Sequence, residues 1–99
     1  MNDTKNWYIT GASKGMGLAI AKKLLSKGHR VAATSRSVSG FDELENFGDL
    51  FLPLEVDLKS ERSIAESLKT TVDKFGGIDV LVNNAGYGLG GALEELTQE

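Results

Sequence analysis

A glycine-rich run, TGASKGMG at residues 10–17, joins an apolar segment to an amphipathic one, and this junction constrains the fold more than any other feature. Residues 7–10 predict the end of a short buried strand, and residues 16–27 predict a helix that Gly28 ends. The apolar positions that recur at helical spacing are Leu18, Ala21, Leu24 and Leu25. A strand that passes through glycines directly into a helix predicts a β-turn-α unit.

The same alternation of strand and helix continues along the chain. Residues 30–35 (RVAATS) predict a second strand, and residues 41–47 predict a short helix. Residues 51–56 predict a third strand that ends at Asp57, and residues 79–83 (DVLVN) predict a fourth.

The helix between the third and fourth strands has clear start and stop signals. Ser60 can cap it, and Gly76 with Gly77 ends it. One face carries apolar residues at helical spacing: Ile64, Leu68, Val72 and Phe75. Parallel strands need long return connections, so we expect an α/β fold with a Rossmann-type parallel sheet. Its predicted strand order is 3-2-1-4, with helices on both faces.

Composition argues against several kinds of function. The formal net charge is −3 and no basic cluster offsets it, which disfavours nucleic acid and anionic membranes as partners. Because there is no cysteine, disulfides, thiolate catalysis and zinc-thiolate sites are excluded, and we assign no metal ligands. The opening residues contain no apolar stretch of signal-peptide length, so we expect a cytoplasmic protein.

The last residues of the sequence resemble the beginning of another helix. Thr97 precedes an acidic first turn, which is a start signal. A sheet that ended at the fourth strand would also leave a hydrophobic edge unpaired. We therefore expect residues 1–99 to be the N-terminal part of a single domain, truncated before its second half.

The glycine spacing allows two interpretations. Gly11, Gly15 and Gly17 could serve only a tight turn and close helix packing. Alternatively, Gly11 allows the turn, Gly15 lets phosphates approach the backbone, and Gly17 lets the helix pack closely. The position between a strand and a helix favours the second interpretation, because N–H groups at a helix start attract phosphate. The predicted ligand is a dinucleotide.

The end of the second strand indicates which dinucleotide. An NAD site places an acidic residue there, whereas this chain has Thr34, Ser35 and Arg36. Arg36 can pair with a ribose 2′-phosphate, and Lys14 in the glycine run could add a second positive charge. Both cations could instead be solvated surface residues. The missing carboxylate leads us to predict NADP, with NAD as the less favoured cofactor.

Three features in order resemble the short-chain dehydrogenase/reductase family, in the branch with the TGxxxGxG signature. They are TGASKGMG, the acid-ended third strand at residues 52–57, and NNAG at residues 83–86. The resemblance covers essentially the whole chain. It implies further cofactor contacts: Ser13 and Met16 in the phosphate loop, Asp57 and Leu58 beside the adenine, Asn83 on the ribose side, and Ala85 with Gly86 along the nicotinamide half. Alternatively, Asp57 caps a helix and Asn83 and Asn84 form a turn.

The chain departs from the family in its catalytic residues. Members use a serine, a tyrosine acid/base and a lysine four positions after that tyrosine. The tyrosines here are Tyr8 and Tyr87, and the residues four positions on are alanine and glycine. We therefore predict no catalytic residue and no turnover by these 99 residues alone.

The resemblance implies an NADP-dependent oxidoreductase of which this chain is the cofactor-binding N-terminal half. The full protein would transfer hydride to or from a small alcohol or carbonyl, and would form a homo-oligomer. The alternative is a free-standing dinucleotide-binding or redox-sensing module without turnover. The substrate cannot be read from these residues.

Overall fold

The computed structural model describes residues 3–13 and 15–85, in which strands and helices alternate as predicted. The elements are β1 (Asn6–Ile9), α1 (Gly15–Ser26), β2 (Arg30–Ser35), a 3-10 segment (Val38–Leu50), β3 (Phe51–Glu55), α2 (Glu61–Phe75) and β4 (Val80–Val82). The strands form one parallel sheet in the order β3-β2-β1-β4. The predicted Rossmann-type sheet and its strand order are confirmed.

Alternate residues of the central strands point to opposite faces of the sheet. Ile9, Val31 and Ala33 pack in one buried cluster with residues of α1 and the 3-10 segment. Tyr8 and Ala32 pack in a second cluster with α2. Helical elements therefore cover both faces, because successive side chains of a strand point to opposite sides.

The connection between β2 and β3 differs from the short helix predicted at residues 41–47. It is a longer 3-10 segment with non-helical dihedral angles at Phe41 and Gly48. Its core-facing residues recur at every third position: Phe41, Leu44, Phe47 and Leu50. A 3-10 helix has three residues per turn, so this spacing places Leu44 and Phe47 on one face, while Phe41 and Leu50 lie at or beyond the non-helical positions and pack on the same cluster.

The start and stop signals of α2 are confirmed. The Ser60 hydroxyl accepts a hydrogen bond from the backbone N–H of Ser63, and Gly76 ends the helix at φ 90°. The buried face differs in part from the predicted one, because Ser67 and Thr71 are buried while Val72 is half-buried. Both hydroxyls donate to backbone carbonyls within the helix, so neither polar group is buried without a hydrogen bond. No helix in the described part of the chain is long and apolar enough to cross a membrane.

Candidate nucleotide-binding site

The turn between β1 and α1 depends on glycine at two positions. Gly11 and Gly15 have φ angles of 61° and 63°, a region that other residues rarely adopt. The Gly11 N–H donates to Thr34 Oγ1 at 3.2 Å, which fixes the turn against β2. A Cβ added to Gly15 would have no atom within 4 Å, so space is open beside this residue. Lys14 lies outside the described residues.

Gly17 is required for a different reason, which is close packing. A Cβ at this position would lie 2.7 Å from the carbonyl oxygen of Gly11 and 2.7 Å from Asn84 Nδ2. The Asn84 amide donates to that same carbonyl at 3.0 Å. The first turn of α1 therefore packs directly on the glycine turn, and the residues after β4 hold the turn from the other side.

The carboxyl ends of β1 and β4 are joined through one buried hydroxyl. Thr10 Oγ1 donates to Asn83 Oδ1 at 3.1 Å and accepts from the N–H of Ala85 at 3.1 Å. Ala85 also lies against the glycine turn, since a Cβ on Gly11 would be 3.1 Å from that of Ala85. Asn83 and Ala85 thus adjoin the turn, whereas Gly86 lies outside the described residues.

A groove of about 400 Å³ opens beside the glycine turn, at the carboxyl ends of β2 and β3. Its lining residues are Gly11, Ser13, Ser35, Arg36, Ser37, Ser39, Gly40 and Leu58. Arg36 and Leu58 extend into an adjoining groove that also contains Asp57. Five residues predicted from the sequence thus share one groove, and Asp57 lies in the next.

Other predicted residues lie outside these two grooves. Gly15 and Met16 form the start of α1, where Met16 is 72% exposed. Gly17 is buried against the turn, and Asn83 and Ala85 lie behind Gly11. Ser37, Ser39 and Gly40 also line the first groove and were not predicted from the sequence. The run of small and polar residues directly after Arg36 was the available signal.

Hydroxyl groups connect the walls of the groove. Ser35 Oγ donates to Ser13 Oγ at 3.0 Å, which links the end of β2 to the glycine turn. The Ser37 and Ser39 hydroxyls lie 3.0 Å apart, and the N–H of Ser37 donates to Ser35 Oγ at 3.4 Å. Ser13 accepts in this network and keeps its own proton to donate into the groove, whereas Ser35 has donated its single proton to Ser13.

The charges of the groove favour an anion. Arg36 is exposed and, among residues 3–13 and 15–85, has no carboxylate within ion-pair distance. The residues at the end of β2 carry no carboxylate, and the first turn of α1 contains no acidic residue. An anion in this groove would therefore meet the Arg36 guanidinium, while the carboxylates nearest along the wall, Asp57 and Glu55, line the adjoining grooves on the other side of Arg36.

Asp57 shapes the loop after β3. Its Oδ1 accepts from the N–H of Lys59 at 3.0 Å, and its own N–H donates to Ser63 Oγ at 3.0 Å. The cap of α2 is Ser60, so Asp57 forms a turn before the helix instead of capping it. Its exposed side chain still lines the groove next to Leu58.

Tyr8 lies away from these grooves and does not suit acid/base chemistry there. It is fully buried against α2, and its hydroxyl lies 2.6 Å from Ser67 Oγ. Burial raises the pKa of this phenol above its ordinary value, and the hydrogen bond to Ser67 opposes part of that shift. Tyr87 lies outside the described residues.

The residues present fit a dinucleotide. The turn exposes backbone at Gly15, and the first turn of α1 carries no acidic residue. Arg36 lines the groove, and no carboxylate of the described residues lies within ion-pair distance of it. Ligand binding at the carboxyl ends of the strands is also the general rule for open α/β sheets.

Comparison with known proteins identifies the family. The family model described as short chain dehydrogenase matches residues 5–99, so the chain belongs to this family. It is 41% identical over 95 residues to Oxidoreductase BOA17 of Botryotinia fuckeliana, covering 94% of the chain and 35% of that protein. It is 41% identical over 88 residues to the "Probable NADP-dependent dehydrogenase" of Haemophilus influenzae, and the match covers 88% of the chain and 35% of that protein. The chain thus spans about a third of the length of these relatives.

Solved structures share the fold. A short-chain dehydrogenase from Streptomyces avermitilis matches with a TM-score of 0.78 at 32% identity, covering 83% of this chain and 31% of that one. ElxO with NADP bound matches with a TM-score of 0.70 at 32% identity, covering 82% and 34%. The 3-ketoacyl-(acyl-carrier-protein) reductase from Brucella melitensis, complexed with NADH, matches with a TM-score of 0.72 at 29% identity, covering 78% and 32%. Proteins with this fold have thus been solved with either cofactor.

Proposed function

We propose that this chain is the cofactor-binding part of an NADP-dependent oxidoreductase that interconverts an alcohol and a carbonyl compound. Membership of the short chain dehydrogenase family supports the reaction class. The nicotinamide would supply or accept the hydride when bound. The substrate would be a small molecule, and the whole protein would assemble as a homo-oligomer.

In this proposal the glycine turn and the start of α1 bind the pyrophosphate. Gly11 and Gly15 leave the backbone accessible, and the helix start contributes roughly half a positive charge. Met16 contributes to this loop, and Lys14 would add a second positive charge for the 2′-phosphate that Arg36 binds. Gly17 contributes by keeping α1 close to the turn, so that the N–H groups at the start of α1 keep a fixed direction.

The other predicted residues would contact the two remaining parts of the cofactor, the adenine side and the nicotinamide half. Asp57 and Leu58 bind the adenine side, where their groove adjoins Arg36. Asn83, Ala85 and Gly86 bind the ribose and nicotinamide half, which the hydrogen bonds of Thr10 support by holding Asn83 and Ala85 beside the turn.

The single observation that carries the choice of NADP is Arg36, which lines a groove with Ser13 and Ser35 and has no carboxylate within ion-pair distance among the described residues. A guanidinium can donate two hydrogen bonds to one phosphate group, and hydroxyl groups add further donors. An NAD site would instead place a carboxylate at the end of β2, and that carboxylate would repel a 2′-phosphate. The end of β2 carries Ser35 and Arg36 in its place.

The test is a calorimetric titration of the protein with NADPH and with NADH under identical conditions. We expect NADPH to bind at least about tenfold more tightly, which corresponds to roughly 1.4 kcal/mol. Equal affinities would contradict the assignment of NADP. No binding of either nucleotide would contradict the cofactor-binding role.

Two further parts of the proposal concern turnover and location. The 99 residues bind the cofactor without turning over substrate, because Tyr8 is buried away from the groove and has no lysine four positions after it. A cytoplasmic location rests on the cysteine-free composition, which suits a reducing compartment. NADPH consumption by this chain in the presence of a carbonyl compound would contradict the first part.

A further inference from the structure

Gly40, near the start of the 3-10 segment, lies directly against the glycine turn. A Cβ added to Gly40 would lie 2.7 Å from the Cβ of Ser13, and 3.4 Å from its Oγ. Real Cβ contacts essentially never fall below 3.0 Å. The φ angle of Gly40 lies outside the left-handed region, so the contact with Ser13 is the obstacle to a side chain here.

A side-chain rotation cannot relieve this contact. The Cβ of Ser13 is bonded directly to the backbone, so it moves only if the glycine turn moves. The 3-10 segment is also fixed, because Phe41 and Leu44 are buried in the core. The ring of Phe41 packs edge-on against that of Phe51, with 5.4 Å between the ring centroids. Both walls are therefore anchored, and the absence of a side chain at Gly40 sets the distance between them.

The distance matters because Gly40 and Ser13 line the same groove as Arg36. Ser13 Oγ accepts a hydrogen bond from Ser35 Oγ, so displacement of Ser13 would also disturb the end of β2. A phosphate held by several donors is sensitive to shifts of well under an ångström in their positions.

We propose that Gly40 is a positioning residue that determines specificity for NADP over NAD, by holding the 3-10 segment against Ser13 so that the hydroxyls and Arg36 converge on the 2′-phosphate. This inference rests on the proposed function. The proposed role of Gly40 is not direct contact with the cofactor, because Gly40 has no side chain and acts through the position of Ser13.

The test compares Gly40→Ala with the wild-type protein in titrations with NADPH and NADH. We expect Gly40→Ala to weaken NADPH binding about tenfold while NADH binding changes about twofold or less, so the preference for NADPH falls. A general loss of folding would weaken both nucleotides alike. Asn46→Ala, at an exposed position of the same segment, serves as the control and should leave both affinities unchanged.

A second pair of variants isolates the contact itself. Ser13→Gly removes the Cβ that an alanine at position 40 would meet, whereas Ser13→Ala removes only the hydroxyl and keeps that Cβ. We expect Ser13→Gly to abolish the effect of Gly40→Ala on the NADPH-to-NADH preference, measured relative to Ser13→Gly alone. We expect Ser13→Ala to leave that effect in place.

These titrations distinguish the proposed preference for NADP from the role of Gly40. Wild-type protein that does not prefer NADPH would overturn the proposed function, and the role of Gly40 with it. Wild-type preference for NADPH together with an unchanged preference in Gly40→Ala would overturn only the role of Gly40. Suppression by Ser13→Ala as complete as that by Ser13→Gly would also overturn it, because the contact would then not involve the Cβ.

Discussion

The hydroxyl of Tyr8 donates a hydrogen bond to the hydroxyl of Ser67, 2.6 Å away between β1 and α2. The direction follows from proton counting, because Ser67 already donates its single proton to the carbonyl oxygen of Ile64 at 2.7 Å. The neutral phenol is therefore bonded in the interior, where a phenolate would lose its hydration.

This arrangement predicts a pH dependence of stability that Tyr8→Phe removes. Burial raises the pKa of Tyr8 in the folded state, while the unfolded chain titrates near 10. The stabilisation by Tyr8 is therefore fully present below the unfolded pKa and is lost as pH rises through the folded pKa. Urea unfolding of the wild type and of Tyr8→Phe at about pH 8 and about pH 11 measures this dependence. The difference between their free energies of unfolding should shrink at the higher pH. A difference that stays constant would contradict the prediction.

Arg36→Ala should weaken NADPH binding about tenfold to hundredfold, because a charge-assisted hydrogen bond contributes about 1.5–3 kcal/mol. NADH binding should change little, since NADH lacks the 2′-phosphate. Titration calorimetry with both nucleotides provides the measurement. Arg30→Ala is the matched control: this exposed arginine begins the strand that Arg36 follows, and its removal should leave both affinities unchanged. Equal losses of NADPH and NADH affinity in Arg36→Ala would show that the guanidinium does not recognise the 2′-phosphate.

Gly17→Ala should destabilise the protein even though alanine is the better helix former. Propensity alone would add up to about 1 kcal/mol of stability. The new Cβ would meet the carbonyl oxygen of Gly11 at 2.7 Å, and overpacking of this kind costs about 1–3 kcal/mol. Chemical unfolding should therefore show a net loss. Lys23→Ala, at an exposed position of the same helix, should change the free energy of unfolding little. A Gly17→Ala protein as stable as the wild type would contradict the close packing.

Thr10→Val keeps the shape of the side chain and removes the hydroxyl that joins β1 to the residues after β4. The Ala85 N–H would lose its acceptor and Asn83 Oδ1 would lose a donor. We expect a loss of about 1–3 kcal/mol in the free energy of unfolding. Hydrogen exchange at the Ala85 amide should also become faster. Thr70→Val, at an exposed position of α2, is the control and should stay within about 0.5 kcal/mol of the wild type. Unchanged exchange at Ala85 would contradict the role of Thr10.

The sequence predicted those parts of the fold that local chemistry determines. Residues 30–35 form β2 as predicted, and α2 starts after Ser60 and ends at Gly76, because a capping hydroxyl and a left-handed glycine act on their own neighbours. The strand order could also be predicted, since parallel strands joined by helices have few allowed arrangements.

Features that depend on tertiary contacts were predicted less well. The sequence predicts a short helix at residues 41–47, whereas the structure has a longer 3-10 segment whose core residues repeat every three positions, from Phe41 to Leu50. Burial of Ser67 and Thr71 was missed, because polar residues are expected at the surface unless their hydrogen bonds are known. Gly40 was missed as a groove residue, since its importance arises only from the approach of Ser13, 27 positions earlier in the chain.

The glycine turn, which looks like a local motif, is held by residues that lie far from it in the chain. Thr34 bonds Gly11 across 23 positions, and Asn84 bonds it across 73. Such contacts form only after the entropy of closing long loops has been lost. We therefore expect the turn to reach its final shape late in folding, when β4 has joined β1. The proposed nucleotide site would then be complete only once β4 is in place, and not when the turn that carries the motif first forms.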